Sequence, residues 1–190
     1  MTSAETKNQS QRSVSTTEEI SLSWQDGYDG RAIANWILKS ATAQNMSLSN
    51  LQLQKILFFA HGSYLVRFRS PLVMNRFEAW EHGPVIPELY HALKQHGDRP
   101  IRSPVTRYDL ESGMDVVVTA DFTNPVCKHL TEMLLFYGRM DPWILVKLSH
   151  VPGGPWAKTL ERSKDTANFS LVIDPQLIEE FFDNPGYSWQ

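Results

Sequence analysis

The sequence predicts a mainly α-helical domain, a compact bundle of about five or six helices with a small β-hairpin element. Two observations indicate this class. Apolar residues recur at spacings of three and four along several segments of the 190-residue chain, as on the buried face of a helix. In addition, Asn or Asp directly followed by Pro precedes such a segment at Asn124, Asp141 and Asp174, and this pair is typical of a helix start.

The first two predicted helices are the clearest. The first follows Asp29 and carries apolar residues at helical spacing before the polar run at residues 43–45 ends it. The second begins with Ser49 and Gln52, the pattern of a capping box in which each side chain binds the backbone N–H of the other residue. Its apolar positions between residues 53 and 64 lie on more than one side, which predicts a central, buried helix.

A strand-to-helix corner is predicted next. Residues 72–80 alternate loosely in polarity and indicate a short strand or hairpin arm, with Gly83-Pro84 as the turn that follows it. Pro87 is expected in the first turn of a third helix, where its missing N–H has no cost, and Gly97 is expected to end that helix. Residues 98–115 predict a polar loop, and residues 116–118 could form a second hairpin arm.

Three more segments complete the prediction. A fourth helix is expected from Asn124-Pro125, with Gly138 as the residue just past its end. A short helix follows over residues 141–148, residues 149–156 read as a Gly/Pro turn, and the last helix begins at Asp174-Pro175.

The domain is expected to span residues 26–183, between a disordered polar tail (residues 1–25) and a loose end (residues 184–190). The tail lacks the apolar segment of a signal peptide, and the apolar run ILFFA is too short to cross a bilayer, so no membrane contact is expected. The single cysteine, Cys127, cannot form an internal disulfide, which suits the cytoplasm.

Charge argues against nucleic acid as the main partner. The formal net charge is −3, so electrostatics provide no reason to expect DNA or RNA binding. Arginines and aromatic residues alternate over residues 67–77, a pattern that can contact a backbone and stack on bases. Because Glu78 and Glu81 follow directly, a solvated polar face is the preferred interpretation.

An enzyme would have to use scattered residues. Glu78, Glu81, His82 and His150 are the candidates for acid/base chemistry or metal binding. The chain has no HExxH motif and no glycine-rich phosphate-binding motif. We therefore expect no enzymatic activity, no cofactor and no metal. An enzyme, or a small-ligand or metal binder using Glu78, His82 and His150, is the alternative.

A binding function would use aromatic residues in turn-rich segments. Trp80, Tyr90 and Trp156 are the candidate interface anchors, together with Pro84 and His150, because large rigid rings cover much area for few rotatable bonds. The alternative for Trp80 and Trp156 is packing in the core, with the prolines shaping turns.

Five residues have structural predictions. Trp36 and Trp143 lie on helical stripes and are expected in the core, and Cys127 is expected to be a small buried residue. Glu78 and His150 could pair, which would tie the strand to the C-terminal turn.

Three ordered motifs resemble a known family. They are LQKILFFAHG at residues 53–62, the EAW, GPV and PELY elements within residues 78–90, and Tyr137-Gly138, Leu148-Ser149-His150 and Pro155-Trp156 near the end. This order is similar to that of the Panacea domain, also called the SocA-like antitoxin domain. The expected signature or partner-binding positions are Lys55, Glu78, Trp80, His82, Gly83, Pro84, Val85, Pro87, Tyr90, His150, Pro155 and Trp156.

The resemblance implies a helical domain that acts by binding. Family members are usually the antitoxin of a two-gene pair on a chromosome or prophage, and the founding type is described as an adaptor to a ClpXP-type protease. A cognate protein toxin from an adjacent gene is therefore the expected partner, and an orphan prophage protein with an unrelated partner is a further possibility. Some members bind DNA through an added helix-turn-helix, for which the N-terminal extension here is too short and polar. Ser149 replaces a frequent Thr, and residues 98–118 form a longer loop. Partner choice is expected to lie in the variable parts, which are the tail over residues 1–20, this loop and the exposed helix faces.

Overall fold

The computed structural model describes residues 24–165, 171–184 and 186. These residues form seven α-helices and two antiparallel hairpins, so the mainly α class is confirmed with more helices and one more hairpin than predicted. The helices are α1 (Gly30–Ala43), α2 (Asn50–Phe68), α3 (Pro87–Leu93), α4 (Asn124–Tyr137), α5 (Pro142–Ser149), α6 (Pro155–Asp165) and α7 (Pro175–Phe182). The strands are β1 (Glu78–Trp80), β2 (Gly83–Val85), β3 (Thr106–Asp109) and β4 (Met114–Val117), and 3₁₀ turns cover Trp24–Asp26 and Lys94–His96.

The chain ends are only partly described. The predicted tail lies outside the described residues except for Trp24 and Gln25, which belong to the first 3₁₀ turn. Of the predicted C-terminal end, Asn184 and Gly186 are described.

Helix α2 is the centre of the fold, as predicted. Its capping box is present, with the Gln52 N–H donating to Ser49 Oγ (3.3 Å) and the Ser49 N–H donating to Gln52 Oε1 (3.1 Å). Helices α4, α5 and α7 and strand β2 all pack against α2, so residues 53–62 are buried on every side. At Gly62 an added Cβ would overlap the ring of Phe182, so a glycine is required where α7 crosses α2.

The first hairpin turns at a different place from the prediction. Trp80 pairs with Gly83, so Glu81 and His82 form the turn, and Gly83-Pro84 lies inside β2 instead of making the turn. Gly83 has φ +95°, a conformation that residues with a side chain rarely adopt. The glycine is therefore needed for close packing within the strand. In the sequence alone, such a glycine looks the same as one that is needed for a turn.

Helix α3 begins with Pro87 at its N-terminus, as predicted, but it ends at Leu93. The 3₁₀ turn then continues the chain to Gly97. The following loop contains the second hairpin, β3–β4, of which only a C-terminal arm was expected.

The start of α4 is one residue from the prediction, since Thr123 is the cap and Asn124 the first helical residue. Gly138 is not a left-handed residue past the helix end, because its φ is −65°. Its Cβ would instead lie 2.6 Å from the Leu134 carbonyl oxygen and 3.1 Å from Met46 Sδ. Close approach, not backbone conformation, therefore explains this glycine.

Helix α6 was not predicted. The buried face of this helix carries Thr159 and Ser163, which are each 5% exposed. Their hydroxyls donate to the backbone carbonyls of Pro155 (2.7 Å) and Leu160 (2.8 Å), which satisfies them inside the protein. Polar residues on the buried face hide the apolar periodicity that sequence analysis depends on.

Helix α7 begins at Pro175 and is capped by Asp174, whose carboxylate accepts from the Gln176 N–H, as predicted. Just before it, the backbone runs along the free edge of β1, where the Ala79 N–H donates to the Leu171 carbonyl (2.8 Å) and the Ile173 N–H donates to the Phe77 carbonyl (2.8 Å). The first hairpin is thereby held between α2 and the C-terminal segment.

Candidate functional site

A buried lysine holds the first hairpin on α2. Lys55 is fully buried, and its Nζ donates to the carbonyl oxygen of Pro84 at 2.7 Å. Burial lowers the pKa of the Lys55 amine from its usual 10.5 to about 7, because the charged form is poorly solvated there.

Gly83 lies directly over this lysine. A Cβ at this position would be 2.5 Å from Ser149 Oγ and 2.9 Å from Lys55 Nζ. The Ser149 hydroxyl is itself buried and donates to the Val146 carbonyl at 2.8 Å. The hairpin, α2 and the end of α5 therefore meet at one crowded point.

Trp80 and Trp156, the two tryptophans predicted as interface anchors, form one layer with His150 next to this point. Trp80 Nε1 donates to Glu78 Oε2 (2.8 Å), and Trp156 Nε1 donates to the Trp80 carbonyl oxygen (2.8 Å). The ring of His150 stacks on Trp156 with centroids 3.7 Å apart and planes 14° apart. These bonds satisfy both indole N–H groups, so Trp156 is a structural residue of α6 and not part of a turn.

Burial lowers the pKa of the His150 imidazole below the usual value, and the nearby Lys55 and His82 side chains, which repel a positive charge on this ring, lower it further. Its Nε2 atom is buried without a hydrogen-bond partner. The pairing of Glu78 with His150 that the sequence suggested is not formed, since Glu78 accepts from Trp80 instead.

The residues of the alternative enzyme hypothesis each contact a different tryptophan. Glu78 binds Trp80, His82 packs edge-on against Trp143 with centroids 5.3 Å apart, and His150 stacks on Trp156. In residues 24–165, 171–184 and 186, no hydrogen bond joins any two of Glu78, His82 and His150. The same residues contain no group of three His, Cys, Asp or Glu side chains that could hold a metal ion.

A groove of about 450 Å³ opens beside the hairpin. Buried amides line its floor, where Gln54 Oε1 accepts from the Ile86 N–H (2.9 Å) and Gln54 Nε2 donates to Asn50 Oδ1 (3.3 Å). Aromatic and imidazole rings line its walls, namely Trp80, His82, Tyr90 and Trp143. A concave site with aromatic walls and fixed polar groups is suited to binding.

Trp143 lines the groove, although the sequence did not indicate it as a binding residue. The expectation of a core position is wrong, since this side chain is 55% exposed at the start of α5 and lines the groove. Leu145 and Val146 supply the buried side of that two-turn helix. Helical spacing alone could not distinguish these faces over eight residues. Trp36, in contrast, packs against the core as predicted.

The other predicted positions have mixed roles. Pro84, Val85 and Pro155 are buried, and Pro87 and Pro155 each begin a helix. Tyr90, on α3, is 36% exposed and packs edge-on against Trp80 with centroids 4.9 Å apart. Of the predicted set, the groove therefore brings together Trp80, His82, Val85 and Tyr90.

Two of the arginines considered for nucleic-acid binding form ion pairs. Arg67 pairs with Glu132 (2.8 Å), and Arg69 pairs with Glu179 (3.2 Å) and Asp183 (3.1 Å). Cys127, expected to be buried, is only half-buried on α4.

None of the described helices is both long enough and apolar enough to span a membrane.

Comparison with known proteins places the chain in a family. The family model described as "Antitoxin SocA-like, Panacea domain" matches residues 53–157, which include most of α2, both hairpins and the layer of Trp80, His150 and Trp156. The chain is also 41% identical over 154 residues to the protein named Antitoxin SocA from Caulobacter vibrioides (strain NA1000 / CB15N), covering 81% of this chain and 82% of the relative. No solved structure shows a significant match. The resemblance noted from the motifs is thus confirmed, and the chain belongs to the SocA-like antitoxin family with a Panacea domain.

Proposed function

We propose that this chain is a cytoplasmic, non-enzymatic antitoxin that binds and neutralises a protein toxin encoded by an adjacent gene. The observation that carries this proposal is the 41% identity to Antitoxin SocA, which extends over 81% of this chain. Similarity over nearly the whole domain supports a shared type of function, whereas the toxin can differ between relatives.

The groove is the proposed contact surface. Its three large aromatic side chains come from different elements: Trp80 from β1, Tyr90 from α3 and Trp143 from α5. Trp and Tyr in such positions are typical energetic anchors of protein interfaces. Because Trp143 is more than half exposed, a toxin segment can bury it on binding.

Co-expression tests the function. Expression of the adjacent gene alone is expected to stop growth, and co-expression of this chain is expected to restore it and to yield a complex on purification. A neighbour that is harmless alone, or one that remains toxic with this chain present, would contradict the proposal.

A single variant tests the groove. Trp143→Ala removes an exposed side chain and is expected to weaken toxin binding at least tenfold without lowering the melting temperature. Ile144→Ala is the matched control, because Ile144 is 48% exposed on the same helix but does not line the groove. Equal affinities of the two variants would show that the toxin binds elsewhere.

We further propose delivery of the bound toxin to a ClpXP-type protease, in line with the resemblance. Growth rescue by this chain would then be lost in cells that lack ClpXP, while the purified complex still forms. Full rescue in those cells would mean that binding alone neutralises the toxin.

No observation favours the alternative enzymatic function. General acid/base catalysis requires groups within hydrogen-bonding reach of one substrate atom. Glu78, His82 and His150 each pack against a different tryptophan, so we do not propose a reaction for them.

A further inference from the structure

We propose that the β3–β4 hairpin, residues 106–117 (the arm), is a second toxin-binding element, which fits an apolar surface bordered by basic residues. This inference rests on the proposed antitoxin function and assigns part of the recognition to a specific element. It is independent of the groove, since no residue of the arm lines that groove.

The arm exposes more apolar surface than its size explains. Leu110 is 88% exposed, Met114 64% and Tyr108 63%, and Val117 is also exposed. All four lie within 12 consecutive residues. The strand register places Tyr108 and Val117 on one face of the ribbon and Met114 on the other, and Leu110 lies in the turn at the tip. Apolar side chains exposed on both faces and at the tip of one hairpin mark an interaction site more often than single exposed residues scattered over the surface do.

The two strands have no other sheet partner in the described part of the chain. Strands β3 and β4 pair only with each other there, which leaves an outer edge on each strand for hydrogen bonding. A two-stranded ribbon without a covered face is marginally stable by itself. A partner that covers the face or extends the edge would complete the structure.

The base of the arm is nevertheless firmly held. Asn35 Nδ2 donates to the carbonyl oxygens of Val105 and Val118, both at 2.9 Å, and Asn35 Oδ1 accepts from the Val105 N–H at 2.7 Å. Val105 and Val118 are themselves buried.

The tip of the arm is ordered as well. The Ser112 N–H and hydroxyl both donate to Asp109 Oδ2, at 3.0 and 2.6 Å, and the Gly113 N–H donates to the Asp109 carbonyl at 2.9 Å. The arm thus projects in one shape, which lowers the entropy cost of binding.

Charge defines the partner. The arm carries one arginine, Arg107, and three carboxylates, on Asp109, Glu111 and Asp115, so its formal net charge is −2. A toxin surface that complements it has apolar residues at its centre and Lys or Arg at its rim.

Side-chain variants of the full-length chain test the arm against the product of the adjacent gene. Tyr108→Ser/Met114→Ser is expected to weaken the Kd at least tenfold, whereas Met74→Ser/Leu135→Ser, which removes comparably exposed apolar groups elsewhere, changes it less than twofold. Glu111→Lys/Asp115→Lys is expected to weaken binding more at low salt than at high salt. Amide hydrogen exchange over residues 106–117 is expected to slow when the toxin binds.

A variant without the arm (the trimmed variant) still tests the proposal if the substitutions above unfold the arm. In this variant an Asn-Gly turn replaces residues 106–117 and joins Val105 to Val118. The Val118 N–H already donates to the Val105 carbonyl (3.2 Å), as the ends of a two-residue turn require. The contacts of both residues with Asn35 are therefore retained. Its circular dichroism and melting temperature are expected to match the wild type, with toxin binding weakened at least tenfold.

Two results would overturn the inference, and they differ. If the wild-type chain binds and neutralises the toxin while the trimmed and Tyr108→Ser/Met114→Ser variants bind within twofold of it, the arm proposal alone is wrong. If the wild-type chain neither binds nor neutralises the toxin, both the antitoxin function and the arm's role in it are wrong.

Discussion

At the scale of single residues, Lys55 shows how a polar group can serve the fold. Its amine is buried below the first hairpin, and its described hydrogen bond goes to the Pro84 carbonyl. A neutral or charged amine can donate this bond, but only the charged form loses strong hydration. The lysine therefore positions the hairpin, but it lowers the free energy of unfolding at pH values at which its buried amine must be protonated.

The free energy of unfolding is expected to rise from pH 7 to pH 10 because of Lys55. The folded pKa is about 7 and the usual value is 10.5, so the unfolded chain holds a proton that the folded chain has lost in this window. The contribution is about 1.4 kcal/mol per pH unit. Urea titrations at several pH values should show this slope in the wild type and a flatter one in Lys55→Met. An unchanged slope in the variant would rule out Lys55 as its source.

Gly83→Ala is expected to destabilise the protein by roughly 3 kcal/mol, from backbone strain together with crowding. The added Cβ would meet Ser149 Oγ and Lys55 Nζ at a residue with φ +95°. Gly153→Ala is the matched control, because Gly153 has φ +72° but no atom within 4 Å of the added Cβ, and about 1 kcal/mol is expected there. Denaturant unfolding of both variants measures the difference, and equal losses would remove crowding as the cause.

At the scale of elements, one asparagine on α1 organises the second hairpin. Asn35 uses both its acceptor and its donor to join the two ends of the hairpin, 70 and 83 residues away in sequence. The arm can therefore extend from the domain without disturbing it.

Helix α6 has hydroxyl groups where an apolar residue is expected on its buried face. These hydroxyls donate to carbonyls of their own helix.

Asn35→Ala is expected to cost about 1–3 kcal/mol, since the Val105 N–H and the Val118 carbonyl lose their partner and the Val105 carbonyl loses one of its two donors. Amide exchange over residues 106–117 should accelerate more than exchange in α2. Thr42→Ala on the same helix is the control, because its hydroxyl bonds only to the Leu38 carbonyl on an exposed face. Equal exchange rates in the two variants would show that Asn35 does not anchor the arm.

At the scale of the whole molecule, α2 connects the core to the functional surface. One part of it packs against Phe77, Tyr137 and Phe182, and its Asn50 and Gln54 form the floor of the groove. Loss of packing around α2 therefore also changes the groove.

The whole fold is expected to lose stability in acid through its buried histidines. Burial lowers the pKa of His61 to about 3 and also lowers the pKa values of His129 and His150, so the folded chain takes up fewer protons below pH 6.5 than the unfolded chain does. Stability should fall as the pH decreases from 6.5 toward 3. His61→Asn, which can keep an acceptor for the Val73 N–H, should reduce the slope measured by urea titration. An identical slope would contradict a role for His61.

The sequence by itself determined the helix starts of this protein and the burial of its central helix. The Ser49–Gln52 box, the Asp141-Pro142 and Asp174-Pro175 helix starts and the buried stripe of α2 all act through neighbouring residues, so they could be predicted correctly. The three ordered motifs also established the family.

Only the tertiary structure decided which surfaces remain exposed and why the glycines are present. Gly83 is required by Lys55 and Ser149, which are distant in sequence, and Trp143 is exposed because its two-turn helix turns other residues inward. The groove combines residues from three helices, both strands of the first hairpin and a 3₁₀ turn, and the arm depends on Asn35 far back along the chain. Such contacts depend on how helices pack in space, and no local pattern in a single sequence records that packing.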